Sequence, residues 1–265
     1  MLTRIITALI GIPFLLYIII SGGWVLKVSI IVISLIGVHE IYNAFSKDYN
    51  PIRVVGYVGA LLISSALFYE EFPLRLVIGL LIPIILVGVV KAYPDHTVID
   101  ASLTLFGALY LGLLFPFISL VREMPTGGFF VWLIFISAWG TDTFAYFTGY
   151  FLGKNKLAPV LSPKKTIEGA VGGVVGAALL ALVYTWGYGR YYNGDVMQYL
   201  LIIPIITALT SVVAQLGDLS ASAIKRFFDV KDFGYILPGH GGILDRFDSV
   251  LFTAPFVYAV LYVLF

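Results

Sequence analysis

The residues best suited to chemistry lie in one stretch near the C-terminus. It holds cations, a turn rich in Gly and Pro with one histidine, and acids at both ends, in the order Ser222, Lys225, Arg226, Lys231, Asp232, His240, Gly241, Gly242, Asp245, Arg246 and Asp248. Lys and Arg suit phosphate oxygens, and paired glycines let backbone N–H groups approach an anion. The stretch therefore predicts a site for a polyphosphate.

The two acids at the end of this stretch predict a metal beside the polyphosphate. A helix that begins near Asp245 would place Asp245 and Asp248 on one face, because they are three residues apart. Such ligands suit Mg²⁺, which typically takes one or two carboxylates together with substrate phosphates. A structural interpretation stays open for each residue alone. The acids could complement a helix dipole, Lys225 and Arg226 could anchor a membrane edge, and His240 could bond to a turn.

Two acids, one at the end of an apolar segment and one inside another, extend the candidate site. Asp218 follows a long apolar run and would share a helix face with Ser222 and Lys225. Asp142 lies inside an apolar segment, where an ionisable group is costly and marks function by default. A hydrogen bond between helices is the structural alternative for Asp142.

A second polar stretch, 153–168, is also rich in lysine. Ser162 followed by Pro163 fits a helix N-cap and first helical position. A helix start beside Lys164, Lys165 and Thr166 would suit an anion. Glu168 could pair with a lysine or bind metal, and the sequence does not separate these roles.

The elements that must position these residues are membrane helices. Of the 265 residues, 60% are hydrophobic and 12% are charged, whereas soluble domains carry about 25% charged residues. There is no cysteine, which excludes disulfides and thiolate metal sites, and the net charge of +1 gives no field that favours nucleic acid. About 20 apolar residues cross a bilayer. This predicts an all-α, polytopic membrane protein with about nine transmembrane helices, at 5–21, 24–45, 54–68, 74–90, 101–121, 129–152, 169–186, 197–216 and 249–265.

Two connections are expected to be long, 153–168 and 217–248. Alternating the spans places most of the 16 Lys and Arg residues on the side that holds both loops, and the positive-inside rule makes that side cytoplasmic. We expect residues 1–128 to form membrane helices and residues 129–265 to form the catalytic region. With no targeting extension before the first span, a bacterial plasma membrane is expected.

The motifs resemble those of the phosphatidate cytidylyltransferase family. The stretch Ser222–Asp248 looks like the full signature of that family, and Asp142-x-x-Ala-Tyr-x-x-Gly149 and Ser162-Pro-Lys-Lys-Thr-x-Glu-Gly169 are also similar to it. The first half is similar as membrane helices with Arg4 and Glu40.

The resemblance implies the reaction of CTP with phosphatidic acid to give CDP-diacylglycerol and pyrophosphate. It also implies Mg²⁺, with K⁺ as a second ion, and a homodimer. Metal binding is carried over to Asp218 and Asp245 first, then to Asp142 and Asp248. Lys225, Arg226, Asp245, Arg246 and His240 would be catalytic. Substrate would bind Ser162, Lys164, Lys165, Thr166, Ser222, Lys231, Gly241 and Gly242.

Two other functions stay open at this point. A CTP-dependent kinase of a lipid alcohol would use the same nucleotide and metal but attack the γ-phosphate, and it would need a base such as His240. A transporter of an anionic solute could line its pathway with Asp142 and the basic loops. The sequence shows no internal repeat, which disfavours a transporter built from inverted repeats.

Overall fold

The computed structural model describes residues 2–69, 72–239 and 241–264, and within them all side chains except those of residues 2–6, 8 and 10. Most of this part is helical. In chain order the helices are α1 (Leu2–Ser21), α2 (Gly23–Phe45), α3 (Arg53–Phe68), α4 (Leu74–Lys91), α5 (Val98–Leu114), α6 (Phe117–Glu123), α7 (Gly127–Phe135), α8 (Thr141–Leu152), α9 (Ile167–Tyr191), α10 (Ile202–Phe227) and α11 (Leu244–Leu264). A π-helical segment, Ile136–Gly140, joins α7 to α8, and a 3₁₀ turn, Gly194–Tyr199, precedes α10.

The helices confirm a multi-pass membrane fold. Within the described residues, seven segments are long and apolar enough to cross a membrane: Gly23–Phe45, Leu74–Lys91, Val98–Glu123, Gly127–Leu152, Ile167–Tyr191, Ile202–Phe227 and Leu244–Leu264. The other two expected spans fall on shorter apolar helices, Gly11–Ser21 and Arg53–Phe68. The count of nine therefore stays a prediction.

Both polar connections differ from their predicted form. The loop predicted at 217–248 was too long at both ends, because α10 continues to Phe227 and α11 already begins at Leu244. The basic last turn of α10 suits the negative end of its dipole. The 153–168 connection contains a small antiparallel hairpin of β1 (Lys156–Ala158) and β2 (Ser162–Thr166), with Lys156 opposite Thr166.

The chain forms two compact units. Unit 1 is Met1–Glu123 with Lys225–Phe247, and unit 2 is Met124–Ile224 with Asp248–Phe265. Helices α10 and α11 thus each contribute residues to both units. The functional division into 1–128 and 129–265 stays a prediction.

Glycines let a tyrosine fill the core of unit 1. The Tyr42 side chain of α2 is fully buried, and its hydroxyl donates to the Thr104 carbonyl of α5. Its ring occupies the space that a Cβ would need at Gly56 of α3 and Gly107 of α5. Close approach of helix backbones at small residues is a common way to pack membrane helices.

Candidate active site

Unit 2 contains a cavity of about 610 Å³ that brings together Asp142, Asp218 and residues of the 153–168 connection, whereas none of the described residues of the 222–248 stretch lines it. Asp142 of α8 and Asp218 of α10 line it together, although they belong to different predicted motifs. The other polar residues that line it are Lys156, Ser162, Lys164, Lys165, Thr166 and Gln215. Three lysines and two carboxylates around one cavity suit an anionic ligand that brings a cation with it.

The best-defined charge contact in this cavity is the ion pair between Lys165 and Asp218. The Lys165 ammonium from β2 contacts a carboxylate oxygen of Asp218 from α10. The two side chains keep 27% and 22% of their surface exposed, so water can still reach both. A partly exposed pair of this kind is worth little by itself, and an incoming phosphate or metal can displace either partner at low cost.

The hairpin that carries the lysines is held by its neighbours in the chain. The Glu168 carboxylate accepts hydrogen bonds from the backbone N–H groups of Lys154 and Asn155 and from the Asn155 side chain. Glu168 thus holds the two ends of the connection together, and its two predicted roles, pairing with a lysine or binding metal, stay predictions. The prediction of Ser162 as N-cap with Pro163 at the first helical position was wrong. Both lie in β2, and Thr166 caps α9 by accepting from the Gly169 N–H at 3.1 Å.

Asp142 is positioned by an irregular helix and by close packing. It is the second residue of α8, directly after the π-helical segment, and π-bulges are frequent at functional sites. Helix α8 packs closely on α9 at two glycines of α9. A Cβ at Gly169 would lie 2.8 Å from the Ala145 carbonyl oxygen, and one at Gly173 would lie 2.9 Å from that of Thr141. Any side chain at either glycine would push away the helix that carries Asp142.

Asp245 organises a second polar cluster, in unit 1. One of its carboxylate oxygens accepts from the Lys225 ammonium at 2.9 Å, and the other accepts from the Phe233 and Gly242 N–H groups at 2.8 and 3.0 Å. The Lys225 ammonium also lies 5.3 Å from the centre of the Phe233 ring, which is a cation–π contact. The Asp245 side chain is only 2% exposed. The predicted anion contact of Gly242 is therefore made, in this structure, with a carboxylate of the chain itself.

Glu40 is the polar residue for which the sequence gave the weakest indication of a role. It is buried in α2, and its carboxylate accepts from the N–H groups of Ile243 and Leu244 at 2.9 and 2.8 Å. It thereby caps the start of α11 from a helix about 200 positions earlier. Its carboxylate also fills the space that side chains at Gly234 and Gly242 would occupy. A buried acid in an apolar span was the available signal, but its partners could not be read from the sequence.

The remaining predicted residues differ in how exposed they are. Lys231, Arg226 and Arg246 are exposed, Ser222 is half-buried in α10, and Gly241 adopts a positive φ of 86° in the turn before α11. Asp248 is buried, and one of its oxygens accepts from the Ser249 N–H at 2.7 Å. His240 and the side chain of Arg4 lie outside the described residues.

The cavity's donor set fits the metal that the sequence predicts. Asp142 and Asp218 line one cavity with the Gln215 amide and the hydroxyl-bearing residues Ser162, Thr166, Tyr146 and Tyr150, all of which carry hard oxygen donors. Among the residues that the structure describes, no group of three or more His, Asp or Glu side chains could hold an ion. Two carboxylates are as many as Mg²⁺ usually takes from a protein, because it completes its coordination with waters and substrate phosphates.

Apolar helices with a cavity lined by lysines and carboxylates define a membrane protein that binds an anionic substrate. Comparison with known proteins makes the class specific. The model of the cytidylyltransferase family matches residues 2–264. A phosphatidate cytidylyltransferase of Bacillus subtilis is 34% identical, and the alignment covers 97% of this chain and 96% of the relative. Those of Staphylococcus saprophyticus and Staphylococcus aureus (strain COL) are 34% and 36% identical, and each alignment covers 98% of this chain and 99% of the relative.

The chain belongs to the cytidylyltransferase family. It is an enzyme that transfers a nucleotidyl group.

Proposed function

We propose that the unit 2 cavity is where this chain binds the triphosphate of CTP for attack by phosphatidic acid. The reaction gives CDP-diacylglycerol and pyrophosphate. A bond forms between an oxygen of the lipid phosphate and the α-phosphorus of CTP, and the bond from that phosphorus to the bridging oxygen of the leaving pyrophosphate breaks. The observation that carries this assignment is the presence of Asp142, Asp218 and three lysines around one cavity.

The residues fit a reaction that needs charge neutralisation more than proton transfer. The nucleophile is a phosphate that is already anionic, so no strong general base is required. Positioning and electrostatics dominate this class of reaction. Lys164 and Lys165 would offset the negative charge on the phosphate oxygens, and the hydroxyls of Ser162 and Thr166 would donate hydrogen bonds to them.

Mg²⁺ is proposed at Asp142 and Asp218 on the strength of their oxygen donors. When bound, such an ion supplies Lewis-acid stabilisation of charge on phosphate oxygens. Lys165 pairs with one carboxylate oxygen of Asp218, so an ion held there would share that carboxylate with the Lys165 ammonium or replace it. Asp245 and Asp248 remain further proposed metal ligands, and Asp245 would have to exchange the Lys225 ammonium for the ion. K⁺ is proposed only as a second ion.

The exposed cations at the end of α10 and the start of α11 have a proposed role in handling phosphate charge. Arg226 and Arg246 present guanidinium groups, which match phosphate oxygens with two parallel hydrogen bonds. Ser222, Lys231 and Gly241 would contribute weaker contacts to substrate. Lys225 would act together with Asp245, its ion-pair partner.

The protein is proposed to work in a bacterial plasma membrane with its site facing the cytoplasm. The basic residues around the two polar connections support this orientation by the positive-inside rule. A homodimer is proposed from the family resemblance alone. Size measurement in detergent, corrected for bound detergent, would test it.

The experiment that tests the function is pyrophosphate release by purified protein given CTP, Mg²⁺ and phosphatidic acid, with each component omitted in turn. We expect release only when all three are present. Formation of CDP in place of pyrophosphate, with a lipid alcohol as acceptor, would instead identify a kinase. If folded protein supplied with K⁺ gave neither product, the proposal would be wrong.

A further inference from the structure

A second concave surface lies in unit 1 and is almost wholly apolar. This groove has a volume of about 290 Å³ and lies between α2, α3 and the 228–243 loop. Its lining residues are Val32, Leu35, Ile36, His39, Tyr57 and Ile236. Because α2 and α3 are apolar helices of a membrane protein, the natural occupant of such a surface is a hydrocarbon chain.

The groove has an apolar end and a polar end. Along α2 it runs from Val32 to His39, which is about 10 Å at the rise of an α-helix. At the polar end, His39 Nδ1 and the Tyr57 hydroxyl share a hydrogen bond of 2.8 Å. A lipid has the same polarity, with an apolar chain and a polar headgroup.

A cation stands at the polar end. The Arg53 guanidinium donates to the Ser46 hydroxyl at 2.9 Å, and its charge lies close enough to act on the Tyr57 hydroxyl. Among the described residues, no carboxylate lies within ion-pair distance of Arg53. Its charge is therefore available to an anion that enters at this end, and a lipid phosphate is the anion that would arrive with an acyl chain.

One wall of the groove is fixed by the residues that organise the start of α11. Ile236 belongs to the 228–243 loop, in which the Phe233 N–H bonds to Asp245 and Gly234 packs on Glu40. Ile236 lies three residues after Phe233 and two after Gly234, so these contacts limit the movement of Ile236.

We propose that this groove binds one acyl chain of phosphatidic acid, with the lipid phosphate held at the Arg53 end. The proposal rests on the proposed function, since it names the place where the lipid substrate of that reaction is held. It assigns to α2 and α3 a share in substrate binding that the cavity of unit 2 does not provide.

The test compares two lipids and three variants. Ile36→Trp fills the groove, Arg53→Gln removes the cation, and Val90→Trp adds the same bulk at a residue of α4 that is 79% exposed and does not line the groove. We expect Ile36→Trp to raise the KM for dioleoyl phosphatidic acid about tenfold, with little change for the dihexanoyl lipid or for CTP. Arg53→Gln should raise the KM for both lipids, because both carry the phosphate. Val90→Trp should match the wild type.

A binding measurement keeps the test independent of turnover. Native mass spectrometry of the detergent-solubilised protein would count bound dioleoyl phosphatidic acid, which we expect to be retained by the wild type and Val90→Trp and lost from Ile36→Trp and Arg53→Gln. Equal retention by all four proteins would overturn the groove assignment and identify the surface as one for bulk lipid. Failure of the proposed function looks different, since the wild type would then bind the lipid and release no pyrophosphate.

Discussion

The pairs Lys165–Asp218 and Lys225–Asp245 contain the same two residue types but differ in their surroundings. In unit 2, both side chains of the first pair keep about a quarter of their surface exposed and line a cavity. In unit 1, the Asp245 side chain is 2% exposed and accepts two backbone hydrogen bonds besides the ion pair. The first carboxylate can change partners, whereas the second fixes the conformation of the 228–243 loop.

This difference shows that an acidic residue of a motif can be needed for activity for either of two reasons: it holds a ligand, or it holds the fold. Breaking a buried pair leaves an uncompensated charge and typically costs about 3–5 kcal/mol. Breaking a partly exposed pair typically costs about 1 kcal/mol or less. Loss of activity alone would not separate an acid that holds a ligand from an acid that holds the fold, so stability must be measured beside activity.

The largest expected effect comes from replacing the two acids in parallel. Asp218→Asn and Asp245→Asn should both abolish pyrophosphate release. Asp245→Asn should also lower the free energy of unfolding by about 3–5 kcal/mol, since Lys225 loses its counter-charge. Asp218→Asn should change it by about 1 kcal/mol or less. Thermal unfolding of the wild type and both variants in detergent would measure these changes in stability. Turnover at the wild-type level by Asp245→Asn would remove it from the proposed metal ligands, and equal melting temperatures would contradict the contrast itself.

Glu40 should behave like Asp245 although it lies far from it in sequence. Glu40→Gln leaves one of the two buried N–H groups facing an amide donor, which typically costs about 1–3 kcal/mol. The control is Glu123→Gln, at an exposed acid of the same unit that pairs with Lys27 at 2.8 Å. If Glu40→Gln and Glu123→Gln lowered the melting temperature by the same amount, the cap of α11 by Glu40 would be no more stabilising than an exposed ion pair.

The close packing of α8 on α9 should determine where Asp142 lies in the unit 2 cavity. Gly173→Ala inserts a methyl group against the Thr141 carbonyl oxygen, and overpacking of this kind typically costs about 1–3 kcal/mol. We expect reduced activity because the helix that bears Asp142 must shift. Gly187→Ala in the same helix meets nothing within 4 Å and should retain wild-type activity. Initial rates at saturating and limiting CTP would show whether binding or turnover is affected.

A smaller effect is expected from the lysines of the hairpin. Lys165→Met should raise the KM for CTP about tenfold, in line with loss of one charge-assisted contact. Lys154→Met is the matched control, since Lys154 is exposed and does not line the cavity. An unchanged KM for Lys165→Met would argue against binding of the triphosphate there.

The smallest effect concerns a surface pair of unit 1. The Lys47 ammonium bonds to the Asp229 carboxylate at 2.8 Å, and this hydrogen bond and charge lower the pKa of Asp229 below its usual value. A lowered pKa in the folded state stabilises the fold above the ordinary pKa of Asp, and the gain disappears as the pH falls through the lowered pKa. Asp229→Asn should therefore melt slightly below the wild type at pH 7 and together with it in strong acid. A difference that persists in acid would point to a cause other than charge.

The sequence predicted the helical membrane fold, whereas the site residues stay predictions and two of the connecting elements were predicted wrongly. Residues of opposite charge and Gly-rich turns predicted phosphate chemistry, and two predicted metal ligands, Asp142 and Asp218, line one cavity. The predicted helix start at Ser162 failed because Ser-Pro is equally compatible with a strand, and the pairing of β1 with β2 decided for the strand. The predicted 217–248 loop failed because polar residues were taken to end α10, although they sit at helical spacing and continue it.

By itself, the sequence determined the membrane-embedded helical class and the family, and it predicted the residue types of the site, because composition, hydrophobic length and motif spacing are local properties of the chain. Only the tertiary structure decided which acids share the unit 2 cavity, that Asp245 is saturated by donors of unit 1, and that Glu40 caps α11. Those relations join residues far apart along the chain. The sequence does contain the four-residue spacing of Gly169 and Gly173 at which α8 approaches α9 closely, but it does not say which helix packs there.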